Sequence, residues 1–157
     1  MEDLNSDKTQ KLLGKHRKIA IDTAPFIYHL EAHPQYSKPT ETIFNLIETG
    51  KITATTSTIT LMEILVKPKK EKNEMAVEEY RFMLLTFPNL KVRPMDANVA
   101  EAAAELRAKY PALHPPDAIQ IGTAIIEGAD AFITNDGKLK QVKDIKVILI
   151  KDLTGES

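Results

Sequence analysis

Between Pro115 and Lys138 the chain reads PPDAIQIGTAIIEGADAFITNDGK. Two prolines and an aspartate open an apolar helix, a short turn follows, and a buried strand Ala131–Thr134 runs into a second aspartate, Asp136. Nearly every residue between the two acids is apolar or small. Such a helix and strand belong to a core, and each carries a carboxylate at its edge, where bare charge needs a reason.

The rest of the chain alternates short strands with helices. Lys18–Asp22 (KIAID) reads as a buried strand ending in an acid. Thr23 is expected to cap the next helix, with Pro25 in its first turn, which leaves Asp22 spare. A helix follows from about Pro39 to Thr49, with Ile43, Phe44, Leu46 and Ile47 at helical period and Gly50 as its C-cap. Ile52–Thr55 is a second strand; Thr58–Val66 is a helix, apolar but for its start and Glu63, and stopped by Pro68. Then come a helix over Glu71–Phe87, a strand at Leu90–Pro94, and an alanine-rich helix from the Asp96 cap to about Tyr110. A short helix near Leu139–Val142 and a strand Val147–Ile150 close the chain.

This pattern predicts a three-layer α/β/α sandwich around a central, mainly parallel sheet. It occupies residues 18–152, with residues 1–17 as an N-terminal extension. Ligands of such sheets gather outside the carboxyl ends of the strands. Asp22, Glu63, Asp117 and Asp136 can all be drawn to that edge.

Composition excludes several classes. A length of 157 residues suits one domain, and a net charge of −1 is not that of a generic basic nucleic-acid binder. The absence of cysteine removes disulfides, thiolate catalysis and cysteine-based zinc sites. No apolar run approaches the roughly 20 residues that span a bilayer, and the polar N-terminus lacks a signal-peptide core. The expectation is a cytoplasmic protein with no membrane contact. His29, His33 and His114 have no metal-ligand spacing and read as structural or surface residues.

Each acid has a plain alternative. Glu63 can pair with Lys67 four residues on, for about 0.2–0.5 kcal/mol. Its neighbours Leu61, Met62, Ile64, Leu65 and Val66 suggest a helix packed on most sides, where such a pair would not offset burial of a carboxylate. Asp117 suits the first turn of its helix through the helix dipole, and Asp136 suits an Asp-Gly turn. Together, however, they make an oxygen-only cluster. Two unit charges 4 Å apart at an effective dielectric near 20 repel by about 4 kcal/mol. Such a group takes up protons or divalent cations, and oxygen-only ligation suits Mg²⁺ or Mn²⁺. The usual chemistry of that centre is phosphodiester hydrolysis. An aspartate-nucleophile phosphatase would want a second acid two residues after Asp22, where this chain has Ala24.

The segments IDTAPFIYHLE, TSTITLMEILVKP and HPPDAIQIGTAIIEGADAFITNDGKLK, in that order, resemble the PIN-domain family of metal-dependent nucleases from about Lys18 to Ile150. The resemblance implies a PIN-like fold and a Mg²⁺- or Mn²⁺-dependent endoribonuclease acting on RNA. Asp22, Glu63, Asp117 and Asp136 match the family's four acidic metal-site positions, and Thr134 and Asn135 its supporting polar positions. Many compact members are toxins of VapBC-type toxin–antitoxin pairs, in which an antitoxin protein blocks the acidic site. The alternative is an RNA-binding or RNA-maturation PIN module with little or no turnover. The resemblance also implies a homodimer, for which the helix over Glu71–Phe87 has apolar residues to spare. Lys67, Lys69 and Lys138 lie just beyond site acids and are the candidate RNA-binding rim.

Overall fold

Strand β1 (Lys18–Ile21) sends Ile19 and Ile21 into one apolar layer and Ala20 into the other. Strand β4 (Ala131–Thr134) does the same with Ala131 and Ile133 against Phe132. This two-residue period, apolar on both faces, is what a covered parallel strand requires. A computed structural model describes residues 4–154 of the chain. Strands β2 (Thr53–Ser57), β3 (Leu90–Arg93) and β5 (Lys146–Leu149) complete one sheet of order β3-β2-β1-β4-β5, with every pairing parallel.

The helices are α1 (Leu4–Leu13), α2 (Thr23–Leu30), α3 (Ser37–Glu48), α4 (Thr58–Lys70), α5 (Glu74–Thr86), α6 (Ala97–Lys109) and α7 (Pro115–Ile126). Helices α1 to α5 contribute to the layer around Phe26, Ile43, Ile47 and Leu84; α6 and α7 contribute to the layer around Leu106, Ile121 and Phe132. The three-layer sandwich expected from the sequence is therefore the fold. The segment expected as an N-terminal extension is helical from Leu4 and buries Thr9 and Leu13, with α1 packed on α3; its first three residues lie outside the described range. Helices α6 and α7 approach closely: a Cβ on Gly122 would stand 3.1 Å from the Ala103 backbone nitrogen. The alanines of α6 permit that contact. No helix among the described residues is long and apolar enough to cross a membrane.

Three local expectations need correction. Pro68 does not stop α4 but lies inside it, its ring buried against the core, so packing offsets the one backbone bond that proline removes. The break comes at Lys72, which adopts a φ of 54°, while the Lys72 and Asn73 amides close on the Lys69 and Pro68 carbonyls. Helix α5 accordingly begins at Glu74, capped by the Asn73 side chain, and not at Glu71. The second strand is Thr53–Ser57, so Ser57, at its end, can cap α4 directly.

Because β1 has β2 on one side and β4 on the other, the chain reverses its direction of winding there. The carboxyl ends of β1 and β4 flank the crevice where α/β sheets bind ligands.

Candidate functional site

Asp22 follows β1 at this crevice, and its own amide bonds to the Ile133 carbonyl of β4 at 2.9 Å. It is the N-cap of α2, in extended conformation, with Oδ1 accepting from the Thr23 amide at 2.8 Å. The expectation that Thr23 caps and Asp22 is spare is thus corrected. Thr23 is already helical, so its hydroxyl turns away from its own helix end and donates to Glu63 Oε1 at 2.8 Å. The other oxygen of Asp22 accepts from the Thr134 hydroxyl at 2.7 Å, and Thr134 in turn accepts from the Asp136 amide at 3.2 Å. One threonine of β4 thereby ties the first acid to the last.

Burial is the main influence on Asp22 and raises its pKa. The bonds from Thr134 and Thr23 pull down, the charges of Asp117 and Glu63 push up, and the outcome is about 6. Asp117 lies in the first turn of α7 and is also raised, by burial, then by Asp136, with Glu63 adding and His114 opposing. Asp22 thus feels the charges of Asp117 and Glu63, and Asp117 those of Asp136 and Glu63, while no lysine or arginine forms an ion pair with any of the four among the described residues.

Glu63 differs from its expected setting. It is exposed, and so are Met62 and Val66 beside it, so α4 is apolar there without being packed all round. Lys67 does not pair with Glu63; its Nζ binds Glu31 at 3.0 Å. Apolar residues on a surface helix make an acid look buried from sequence alone.

Asp136 is exposed, and its Oδ1 accepts from the Lys138 amide at 3.0 Å, closing the turn expected for an Asp-Gly pair. Asn135 uses its amide to hold structure, donating to the Tyr28 hydroxyl at 3.1 Å and accepting from the Lys151 amide at 3.0 Å. Lys138 and His114 line a cleft of about 410 Å³ that opens on Asp117 and Asp136. Lys69 is exposed near the end of α4.

Among the described residues, no group of three or more histidines, aspartates or glutamates stands close enough to hold a metal ion by itself. The donor set nevertheless fits a hard divalent cation. It offers carboxylate and hydroxyl oxygens only, and its half-buried Asp22 has a pKa raised first by loss of water and further by the neighbouring carboxylates. Mg²⁺ in particular keeps several waters and takes only one or two carboxylates together with substrate phosphate, so a closed three-ligand cage is not required.

Gln120 and Thr60, both buried beneath these acids, carry no sequence pattern that marks them as part of a site. A glutamine within AIQIGTAII is the one signal that could have drawn attention there.

The family model for the PIN domain matches residues 19–145. No curated protein matches the chain in sequence. Among solved structures, VapBC2 from Rickettsia felis bound to a DNA fragment from its promoter is similar with a TM-score of 0.68 and 20% identity, over 84% of this chain and 98% of that one. A toxin–antitoxin complex from Klebsiella pneumoniae matches with a TM-score of 0.64 and 22% identity, over 84% and 97%. VapC20 of Mycobacterium tuberculosis, a toxin that cleaves the sarcin-ricin loop, matches with a TM-score of 0.63 and 18% identity, over 82% and 98%.

Proposed function

This chain belongs to the PIN domain family, and from that premise we propose that it is a Mg²⁺- or Mn²⁺-dependent endoribonuclease, the toxin of a toxin–antitoxin pair. The observation that carries the reading is the gathering of the four acids at the carboxyl edge of the sheet: Thr134 ties Asp22 to Asp136, Thr23 ties the Asp22 turn to Glu63, and Asp117 and Asp136 line one cleft, with no lysine or arginine ion-paired to any of them among the described residues. The toxin role is supported by the names of the solved structures that share this fold.

Asp22, Asp117 and Asp136 would hold the ion, with Glu63 beside them. A divalent cation bound there would lower the pKa of a water and neutralise charge developing on the phosphate. Asp22 is fixed at both oxygens by Thr23 and Thr134, so its carboxylate keeps one orientation. Glu63 spends Oε1 on Thr23 and leaves Oε2 to orient the attacking water and take its proton. Attack by water needs no 2′-hydroxyl and leaves a 5′-phosphate. Lys138, at the cleft beside Asp117 and Asp136, would receive RNA phosphate, with Lys67 and Lys69 on the rim by α4. An antitoxin protein would cover the same edge. A homodimer would use the exposed Met75, Phe82 and Leu85 of α5, and residues 18–152 would be the nuclease unit.

The test is cleavage of single-stranded and stem-loop RNA with and without EDTA. Cleavage that stops in EDTA and returns with Mg²⁺ or Mn²⁺, leaving 5′-phosphate ends, is the expected result. Activity that persists in EDTA sinks the metal mechanism, and RNA binding without cleavage favours the module without turnover.

A further inference from the structure

Beneath the acids lies a buried polar hub drawn from α2, β2, α4 and α7. Thr23 follows Asp22 on α2, Thr60 precedes Glu63 by one turn on α4, and Gln120 follows Asp117 by one turn on α7. Thr23, Thr56, Thr60 and Gln120 are all buried, Gln120 to 3% exposure. A polar side chain this deep in the core is costly unless its hydrogens are placed.

Their placement can be deduced from one end. The Ile21 carbonyl can only accept, so the Thr56 hydroxyl donates to it, at 2.8 Å. Thr56 must then accept across its 2.9 Å contact with Thr60, which uses the single hydroxyl hydrogen of Thr60. Thr60 has no hydrogen left for Gln120, so at their 2.9 Å contact the glutamine donates through Nε2. The second amide hydrogen of Gln120 goes to Thr23 Oγ1 at 3.1 Å. Thr23 Oγ1 also lies 3.1 Å from Thr60 Oγ1; since the Thr60 hydrogen is given to Thr56, Thr23 chooses between that neutral oxygen and the carboxylate, and the shorter, charge-assisted bond to Glu63 Oε1 at 2.8 Å takes its hydrogen.

We propose that Gln120 is a positioning residue for Glu63: its two amide hydrogens occupy acceptor sites on Thr60 and Thr23, so that the remaining Thr23 hydroxyl hydrogen is held toward the Glu63 carboxylate. Glu63 is exposed on a flexible side chain, and the Thr23 bond is its one side-chain hydrogen bond among the described residues. Without the amide, Thr23 Oγ1 can turn its hydrogen to other buried acceptors, and Glu63 gains rotamers that face away from Asp22 and Asp117. The role in turnover rests on the nuclease reading; the positioning itself does not.

The test compares the full-length protein with Gln120→Met, of similar volume but without donors, and with Gln120→Glu, which replaces donors by acceptors. Three readouts are taken: crystal structures without added metal, Mn²⁺ affinity by calorimetry, and kcat and KM for RNA. The expected result in either variant is a Thr23–Glu63 separation beyond hydrogen-bond distance. Mn²⁺ affinity and kcat should fall by about 10- to 100-fold with KM little changed, the size usual for groups that orient ligands from behind. A folded variant that keeps the Thr23–Glu63 bond overturns the inference, as does one with wild-type kcat and affinity. If Gln120→Met does not fold, Gln120→Glu, which retains a polar group of the same size, decides on the same criteria. If the wild-type protein neither binds Mn²⁺ nor cleaves RNA, the nuclease reading falls, and the crystal comparison still decides the positioning.

Discussion

Helix α7 carries a carboxylate at each end, and the two are treated in opposite ways. Glu127, its C-cap residue, has a side chain only 6% exposed and is met by Lys91 at 2.9 Å, Arg93 at 3.0 Å and Lys18 at 3.4 Å. Burial acts to raise its pKa, but the Lys91 and Arg93 bonds and the nearby charges prevail and hold it below its usual value. Asp117, in the first turn, has its pKa raised by burial and then by Asp136, and its partner in the crevice, Asp22, stands at about 6. The fold thus brings two lysines and an arginine to one end of the helix, whereas the acid at the other end has only His114 to oppose the charges of its fellow carboxylates. A carboxylate that serves the fold is neutralised by the chain. One left among other carboxylates has its counter-charge supplied from outside.

The strongest way to break this contrast is to neutralise one acid of each kind. Asp22→Asn should abolish RNA cleavage, yet it should not destabilise the protein, because asparagine caps a helix as well as aspartate does. At pH 7 it relieves a half-buried charge that no cation pairs, a gain of up to about 3 kcal/mol, given a folded pKa of about 6 against an ordinary 3.8. Glu127→Gln should do the reverse. It leaves Lys91, Arg93 and Lys18 facing one another and should cost about 1–3 kcal/mol, less than a fully buried pair because the lysines keep solvent contact. Cleavage per folded molecule should be unchanged. Chemical denaturation and a cleavage assay on both variants check the pair, and a loss of stability in Asp22→Asn larger than that in Glu127→Gln would erase the distinction.

The two acids also predict opposite slopes with pH. Asp22 binds its proton more tightly folded than unfolded, so stability falls as pH rises from about 3.8 to about 6 and is level above that. Glu127 has a depressed pKa, so its contribution is present above its usual value of 4.5 and is lost as pH falls through the folded one. Asp22→Asn should lessen the first decline, leaving the share that Asp117 contributes in the same direction, and Glu127→Gln should remove the second, in urea melts taken from pH 3 to 7. Cleavage should rise with pH through about 6 as Asp22 ionises, and metal binding should move that rise to lower pH.

Sequence made one half of this contrast visible and hid the other. The acids at strand ends and helix starts are local features: Asp22 after KIAI, Asp117 after two prolines and Asp136 after AFIT each sit where an element changes, and Ala131–Thr134 appears in the structure with the bounds its apolar run suggested. What neutralises or fails to neutralise an acid is not local. The cations around Glu127 come from β1 and β3, and the hub under Glu63 joins α2, α4 and α7. The misreadings share that origin. Pro68 looked like a stop because local propensity does not include the burial of its ring, and Glu63 looked buried because Met62 and Val66 were assumed to be inside. Thr23 and Asp22 exchanged roles because the Thr23 hydroxyl had a more distant partner to satisfy.

The smallest expected effect concerns the basic rim, where the same question of prior neutralisation applies. Lys67 is paired with Glu31 at 3.0 Å, whereas Lys138 shows no ion pair among the described residues and lies on the cleft with Asp117 and Asp136. A lysine already matched within the chain has less to offer a phosphate, since the pair must be broken first. Lys138→Ala should therefore weaken RNA binding by a protein inactivated at Asp22 and reduce the salt slope by about 0.7, the share of one phosphate contact on a single strand. Lys67→Ala should change both less. Measured together across salt concentrations, an equal loss from the two variants would mean that the Glu31 pair is too weak and too exposed to matter. A larger loss from Lys67 would move the RNA track from the cleft beside Asp117 and Asp136 to the face of α4, and with it the side on which an antitoxin must compete.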